Sequence, residues 1–331
     1  MGYPGPTPEG GKRVGAVAYA VGCETCTGER RKAMRRGIRL GPIWLLAMLP
    51  PLFWAGNFVL ARALHADIPP IALSFWRWAV ALTILLPFVA AGLWRQRALI
   101  RRHWALLTLF AVLGVTSYNT FAYLGLQHTT ATNGVLLASV TPMVILALSF
   151  LLFRVPLRST QVFGILLSMA GVAVIATEGS PQVLAGWDFN RGDLWVLAAN
   201  LVWALYSVFL RWRPPEMEPM TFLGALVAIG LPPLAVLYAW ELGTGQGFEV
   251  NLVNLSAIGY VALFPSVLAY FFWNRAVAEM GANRTGQYLH LMPVFGAAMA
   301  ILLLGERLQA FHMTGALLIA AGIVLASVTK R

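Results

Sequence analysis

The chain has 331 residues, of which 59% are hydrophobic and only 11% are charged. A soluble protein carries roughly a quarter charged residues, so this composition indicates that lipid is the main solvent of the chain. The formal net charge of +11 would suit a nucleic-acid-binding protein, but most basic residues lie in short segments next to apolar runs, which argues against a nucleic-acid partner.

The first 42 residues differ from the rest of the chain, because they are rich in Gly, Pro and charge and end in "GERRKAMRRGIRLG". No small-residue cleavage site follows the first apolar run, so residues 1–42 are predicted to be a disordered, basic cytoplasmic tail and not a cleaved signal. Met34 opens a segment that resembles a natural protein start. We therefore interpret residues 1–33 as an extension without a function of its own.

The tail holds both cysteines of the chain, Cys23 and Cys26, in a C-x-x-C spacing. This spacing suits a redox pair or half of a zinc site. Zinc would need two further ligands, and no other Cys and no nearby His can supply them. The cysteine count also excludes a structural disulfide network. The sequence therefore predicts neither a metal site nor a cofactor.

Ten apolar runs follow the tail, and each is close to the length of about 20 residues that a helix needs to cross a bilayer. They lie at approximately 43–62, 70–93, 104–125, 131–152, 159–176, 193–210, 219–240, 254–274, 284–304 and 311–328. These runs are too long and too continuous for the strands of a membrane barrel. The sequence predicts an all-α membrane protein with ten transmembrane helices.

The basic residues are distributed unevenly between the two sides of the predicted membrane. With the N-terminus in the cytoplasm, twenty of the twenty-four Lys and Arg residues fall in cytoplasmic segments, while Arg62, Arg191 and Arg307 fall in outer loops and Arg77 lies within a helix. This is the positive-inside pattern. We therefore expect a multi-pass protein of a bacterial-type inner membrane, with both termini cytoplasmic.

The chain contains an internal repeat. The segment from Pro142 matches the segment from Pro293 without gaps at an offset of 151 residues, and the same offset aligns "IWLLA" at 43–47 with "LWVLA" at 194–198. These matches divide the chain into two five-helix copies. The predicted copies span residues 43–176 and 193–328.

An odd number of helices in each copy determines their relative orientation. The second copy must begin on the opposite side of the membrane from the first, so the copies are predicted to be inverted. Inverted repeats are typical of secondary transporters, which bind their substrate near the midplane where the copies meet.

Both copies also contain longer motifs: "FWAGNFVLARAL" (53–64), "SFWRW" (74–78), "GLQHTTATNGVLLASVTPM" (125–143) and "LMPVFGAAMAILLLGERL" (291–308). Together they resemble the EamA-like family of the drug/metabolite transporter superfamily, and the resemblance covers residues 43–328. "YLGLQHTTATNG" is similar to the branch that exports aromatic and other amino acids. The resemblance implies export of small metabolites, with amino acids as the favoured class. The first copy departs from the family, since it has Val155 and neighbours where a Gly-Glu-Arg-Leu sequence is usual.

Two groups of alternatives remain open. Another exporter or exchanger would carry sugars, nucleotide sugars or drugs, whereas a rival from a different class would be a membrane enzyme or scaffold. None of the thirteen acidic residues falls well inside an apolar run, which argues against an intramembrane hydrolase and against carboxylate-coupled drug export. No G-x-x-x-x-G-K-[ST] motif occurs, so transport would be secondary or facilitated. We expect a monomer, with a dimer as the alternative, in contact with lipid and a small-molecule substrate.

Few polar side chains lie within the predicted helices. Two of them, Asn57 and Arg77, lie near the start of the first copy. Asn57 follows a glycine, and is interpreted either as a helix-pairing amide or as a substrate contact. Arg77 has a structural interpretation, a snorkelling or helix-pairing arginine between interfacial tryptophans. Its functional interpretation is a cation that attracts a substrate carboxylate.

Further polar and aromatic side chains are predicted to line a cavity for a small amphipathic molecule, although aromatic residues on membrane helices more often pack or face lipid. With Asn57 and Arg77, the candidates are Trp54, Tyr118, Asn119, Trp203, Tyr206, Trp273, Tyr288 and His290.

His290 and the two repeated prolines complete the candidates. Pro142 and Pro293 are predicted to interrupt their helices and to serve as bending points for gating, because proline frees the carbonyl four residues earlier. On a continuous helix, Gly286, His290, Pro293 and Ala297 would share one face. His290 is interpreted either as a neutral, backbone-bonded side chain or as a group for substrate binding or proton coupling.

Overall fold

The computed structural model describes residues 43–180, 182–183, 189–280 and 287–327. The predicted tail at 1–42, with Met34 and both cysteines, lies outside the described residues. Within those ranges every regular element is a helix and no strand occurs. The predicted all-α fold class is therefore confirmed.

The main helices lie close to the predicted apolar runs. In chain order they are α1 Ile43–Ala63, α2 Pro70–Arg95, α3 Trp104–Leu126, α4 Ala131–Phe153, α5 Ser159–Ala176, α6 Arg191–Trp212, α7 Pro219–Gly243, α8 Leu252–Trp273, α9 Tyr288–Leu304 and α10 Ala310–Leu325. In the described part, α1 to α8 are long and apolar enough to cross a membrane, whereas α9 and α10 are shorter apolar helices. Ten crossings therefore remain a prediction.

Two helices are interrupted at equivalent places in the two copies. α4 breaks after Ala138, shortly before Pro142, and α9 begins with a 3₁₀ turn that ends at His290. Pro142 has no N–H to donate to the Ala138 carbonyl. The Thr141 hydroxyl donates to that carbonyl instead, at 2.7 Å. The break in α4 thus leaves this carbonyl hydrogen-bonded.

A second pair of equivalent interruptions consists of π-helical segments. They lie at Val112–Ser117 in α3 and at Ala262–Leu268 in α8, in the same register once the 151-residue offset is applied. Pro265 accounts for the segment in α8, because it cannot donate to the Val261 carbonyl. The Ser266 hydroxyl donates to that carbonyl at 2.7 Å.

The last helices of the two copies, α5 and α10, pack with their backbones in contact. A Cβ added at Gly171 would lie 2.7 Å from the Gly315 carbonyl oxygen, and one added at Gly322 would lie 2.5 Å from the Gly164 carbonyl oxygen. Glycine allows this close approach because it has no side chain. Each glycine of one copy thus meets the non-equivalent glycine of the other, as in a two-fold contact.

The direction of α5 relative to α10 follows from the same contacts. Along α5 the contacts run through Gly164, Ser168 and Gly171, and along α10 they run in reverse through Gly322, Ile319 and Gly315. The Ser168 hydroxyl donates to the carbonyl of Ile319, its own repeat equivalent, at 3.4 Å. Equivalent helices of the two copies therefore run antiparallel.

Substituting Gly171 with Ala should destabilise the protein, because the new methyl group would press on backbone that cannot rotate away. We expect a loss of about 1–3 kcal/mol, the usual cost of overpacking, measured as a lower thermal unfolding temperature of the full chain in detergent. Gly259→Ala is the control, since a Cβ at Gly259 meets nothing within 4 Å. Equal unfolding temperatures for the two variants would contradict the proposed backbone contact.

Candidate functional site

A cavity of about 640 Å³, open solvent included, lies among the helices. Its walls come from both copies, and they combine a few polar groups with many apolar ones, as small-molecule sites do. The lining residues are Trp54, Asn57, Phe58, Arg77, Tyr118, Asn119, Ala138, Ser139, Thr141, Pro142, Trp203, Tyr270, Leu289 and Met292.

Several lining residues are repeat equivalents. Three pairs are related by the offset of 151 residues and a fourth, Trp54 with Trp203, by the slightly smaller offset that aligns their helices. The others are Asn119 with Tyr270, Ala138 with Leu289, and Thr141 with Met292. The two tryptophan rings meet edge to face, with centroids 6.5 Å apart. The cavity therefore lies where equivalent faces of the two copies meet.

The two copies contribute different chemistry to this cavity. Most polar lining groups belong to the first copy, namely Asn57, Arg77, Asn119, Ser139 and Thr141 together with the Tyr118 hydroxyl, while the second copy adds the Tyr270 hydroxyl and the Trp203 indole N–H. The second copy contributes two aromatic and two aliphatic side chains, those of Trp203, Tyr270, Leu289 and Met292. Most hydrogen-bond partners for a ligand would therefore come from the first copy.

Arg77 is buried and is held by neutral groups from three helices. Its Nε donates to the Ser266 hydroxyl at 2.7 Å, and its Nη1 donates to Asn57 Oδ1 at 2.9 Å and to Tyr123 Oη at 2.7 Å. The Tyr123 hydroxyl in turn donates to Asn57 Oδ1 at 2.6 Å. Arg77 is 2% exposed, so it does not snorkel. Helix pairing is the part of the structural interpretation that the geometry retains.

The aromatic rings that line the cavity come from both copies. The Trp54 indole N–H donates to the Pro265 carbonyl at 3.0 Å, which fixes this ring beside the π-helical segment of α8. Tyr118 and Trp203 have ring centroids 4.9 Å apart, and Trp54 and Tyr270 have centroids 6.2 Å apart. Edge-to-face and tilted pairs of this kind are favourable beyond their buried area.

The structure brings most predicted site residues to the cavity. Trp54, Asn57, Arg77, Tyr118, Asn119, Trp203 and Pro142 line it. Tyr206 stacks behind Trp203 at 5.0 Å, and Trp273 lies 5.5 Å from Trp54. Tyr288, His290 and Pro293 are not among the lining residues.

Sequence reasoning missed Tyr123 and Ser266, which hold Arg77, and it missed Tyr270 in the wall. Tyr270 could have been found by applying the repeat offset to Asn119. The two residues that hold Arg77 carry no such signal, because a tyrosine and a serine are unremarkable in a membrane helix.

Carboxylates close one end of the bundle by capping helix N-termini. Glu306 accepts hydrogen bonds from the first two backbone N–H groups of α4, at 2.8 and 2.9 Å, and from the Thr132 hydroxyl at 2.6 Å. Glu241 accepts from the backbone N–H groups of Ile71 and Ala72 at 3.0 and 2.7 Å. Helix N-termini favour anions. Each cap links a helix of the second copy to one of the first.

A buried polar chain joins the copies at the same end. Asp193 accepts from the Thr129 hydroxyl at 2.5 Å and from the Asn133 amide at 3.4 Å. His312 Nδ1 accepts from the Gln309 backbone N–H, so Nε2 carries the proton and donates to Asn133 Oδ1 at 2.9 Å. The acidic residues do lie near helix ends, as the sequence indicates, but this end is buried by the packing of the copies.

Known proteins resemble the chain over most of its length. The signature of the EamA-like transporter family matches residues 41–177 and 190–328. An uncharacterized transporter named YyaM from Bacillus subtilis is 25% identical over 288 residues, which cover 86% of this chain and 93% of the relative. An uncharacterized transporter from Archaeoglobus fulgidus is 29% identical over 289 residues, 85% of this chain and 96% of the relative.

Two further similarities concern a named relative and a solved structure. A protein named probable amino-acid metabolite efflux pump, from Salmonella typhimurium, is 26% identical over 298 residues, covering 85% of this chain and 93% of that protein. A solved crystal structure matches with a TM-score of 0.59 and 20% identity over 86% of this chain and 95% of its own, and shows the fold alone. The family signature spans both copies, so the chain belongs to the EamA-like transporter family and is a membrane transporter, not an enzyme.

Proposed function

We propose that this chain exports small amphipathic metabolites, with aromatic and other neutral amino acids as the first class to test. Export would proceed by alternating access between two inverted copies, 43–176 and 193–328. The observation that carries the proposal is the cavity among the helices, since its walls include repeat-equivalent residues of both copies.

The antiparallel packing of α5 against α10 supports the inverted arrangement, because these helices occupy equivalent places in the two copies. The basic residues support a ten-span topology with both termini in the cytoplasm. A bacterial inner membrane agrees with relatives from Bacillus and Salmonella.

The substrate class rests on the cavity and on one relative. A cavity that combines a buried cation and amides with aromatic and aliphatic side chains suits a molecule with a charged head and an apolar tail. The Salmonella relative is named as an amino-acid metabolite efflux pump. Of the proposed substrate-binding residues, six line the cavity directly, while Tyr206 and Trp273 support the aromatic wall; Tyr288 and His290 are proposed for the path into the cavity. Sugars, nucleotide sugars and drugs are the alternative cargoes.

Gating would involve opening of the capped end and bending of the two interrupted helices. Glu306 and Glu241 bind first-copy helices to second-copy helices, so this end closes when both caps form. Opening it requires that these bonds break. Pro142 and Pro293 mark the proposed bending points, next to the break in α4 and the 3₁₀ turn of α9.

Replacing Trp203 with Ala should weaken transport, because it removes aromatic contacts from the cavity wall. We expect the half-saturating concentration of labelled amino acids in proteoliposomes to rise about tenfold, equivalent to about 1.4 kcal/mol. Trp240→Ala is the matched control, since Trp240 is 65% exposed on the helix surface. Flux should need no ATP. An ATP requirement, or equal effects of both variants, would contradict the proposal.

Glu306→Gln should favour opening of the capped end, because the neutral amide loses the charge that the N-terminus of α4 stabilises. The measurement is labelling of Ser139→Cys, in a chain whose native cysteines are replaced by serine, with a membrane-impermeant thiol reagent added outside. We expect labelling to rise about three- to tenfold, equivalent to roughly 1 kcal/mol.

The control for the cap is Glu249→Gln, because Glu249 is an exposed acid in the loop between α7 and α8. It should leave outside labelling unchanged. If Glu306→Gln also leaves labelling unchanged, the cap does not hold that end closed. If labelling rises only from the inner side, the assignment of this end to the outer face is wrong.

A further inference from the structure

We propose that the cavity selects its substrate by net charge: Arg77 and Asn119 bind a carboxylate, no carboxylate lines the cavity to bind an ammonium, and monoanionic carboxylates with an apolar tail therefore bind better than the matching zwitterionic amino acids. This inference rests on the proposed function and specifies the substrate class of the same cavity. It identifies acids that lack the α-amino group, such as 2-oxo and 2-hydroxy acids, as preferred cargo.

Two donors that line the cavity have no protein partner in the part of the chain that the structure describes. Arg77 uses Nε and Nη1 for its three hydrogen bonds, which leaves Nη2 without a bond to protein. Asn119 is 1% exposed, and its Nδ2 is buried without a partner. A buried donor without an acceptor is costly. A ligand that supplies acceptor oxygens would remove this cost at Asn119 and give Arg77 Nη2 a partner.

The charge of the cavity favours an anion. Among the lining residues, Arg77 is the only one with a formal charge, and no described carboxylate lies within ion-pair distance of it. The buried acids Asp193 and Glu241, like the half-buried Glu306, are engaged at the capped end. A buried cation without a counter-ion is unfavourable. A substrate carboxylate would be that counter-ion, bound by a charge-assisted hydrogen bond from Arg77 Nη2.

The same cavity offers an ammonium group weaker binding partners than it offers a carboxylate. The acceptors that line the cavity are neutral: the Ser139 and Thr141 hydroxyls, which already donate to backbone carbonyls at 2.6 and 2.7 Å, the Tyr118 and Tyr270 hydroxyls, and the Asn119 amide oxygen. Tyr206 stacks on one face of Trp203, which leaves less ring surface for a cation. The nearby charge of Arg77 would repel the ammonium. The α-amino group of an amino acid is therefore tolerated at a cost and is not recognised.

The apolar part of the substrate would contact the lining residues of the second copy. With the carboxylate at Arg77 in the first copy, an apolar tail would extend toward the second-copy wall of Trp203, Tyr270, Leu289 and Met292. That wall has two aromatic rings and two flexible aliphatic side chains, so it can accept tails of different shapes. The preferred compounds are therefore monocarboxylates with an aromatic or branched apolar tail.

A matched set of four compounds tests the inference: 3-phenylpropanoate (an anion), phenylalanine (a zwitterion), 3-phenylpropanamide (neutral) and phenylalanine amide (a cation). Binding to the full chain in detergent is measured by calorimetry at neutral pH. We expect the anion to bind about tenfold more tightly than the zwitterion, the neutral amide to bind weakly, and the cation not to bind.

Arg77→Gln should abolish the preference among these compounds. The affinity for 3-phenylpropanoate should fall by about 30-fold, as for a charge pair that loses one partner, whereas that for the neutral amide should change by less than about threefold. Arg77→Lys keeps the charge but has three N–H donors instead of five for the protein partners and the carboxylate together, so it should give an intermediate affinity for the anion. Thermal unfolding of each variant shows whether it is folded.

If Arg77→Gln does not fold, variants of Asn119 test the inference instead. Asn119→Asp would place an acid in the cavity that Arg77 also lines, so it should weaken binding of the anion and strengthen binding of phenylalanine relative to it. Asn119→Leu should weaken binding of the anion without strengthening binding of phenylalanine. Tighter or equal binding of phenylalanine in the wild type overturns the inference, as does failure of all four compounds to bind. Amino-acid flux in proteoliposomes decides the proposed function separately, since flux can occur without this charge preference.

Discussion

A backbone group that is left free inside a bilayer has no water to bond, so every break in a membrane helix needs a partner from the protein. Thr141 supplies one at the break in α4, and Ser266 supplies another at the π-helical segment of α8. Glu306 does the same for the start of α4. These requirements explain why polar side chains occur where they do: several of the buried polar groups satisfy backbone that the fold interrupts.

The same constraint determines the orientation of the buried arginine. Pro265 frees a carbonyl in α8, Ser266 bonds that carbonyl, and the oxygen of this hydroxyl then accepts Nε of Arg77. Asn57 and Tyr123 accept the bonds from Nη1. Because both contacts are neutral and fixed, one nitrogen of the guanidinium stays available at the cavity. A break in one copy thus orients a charged group in the other.

The sequence predicts the helices, the repeat and most of the cavity wall, since each of these depends on local apolar pattern or on the offset between copies. It does not predict the buried state of Asp193 or Glu241, because their partners come from helices distant in sequence. It also suggests that His290 shares a face with Pro293. That reasoning assumes a continuous α-helix, whereas a 3₁₀ turn ends at His290 and changes the angle between successive side chains.

The Glu306 cap also breaks the symmetry between the copies. Inverted copies can exchange conformations, so a closed outer end and a closed inner end would be related states of equal energy if the copies were identical. The first copy has Val155 at the position equivalent to Glu306; at the position equivalent to Glu241 it has Ala90 by the offset of 151 residues and Gly92 by the offset of 149 that aligns Trp54 with Trp203. None of these residues has a side chain that can cap a helix. Under the proposed cycle, the state with the carboxylate-capped end closed is therefore the resting state, and the substrate must contribute binding energy to leave it.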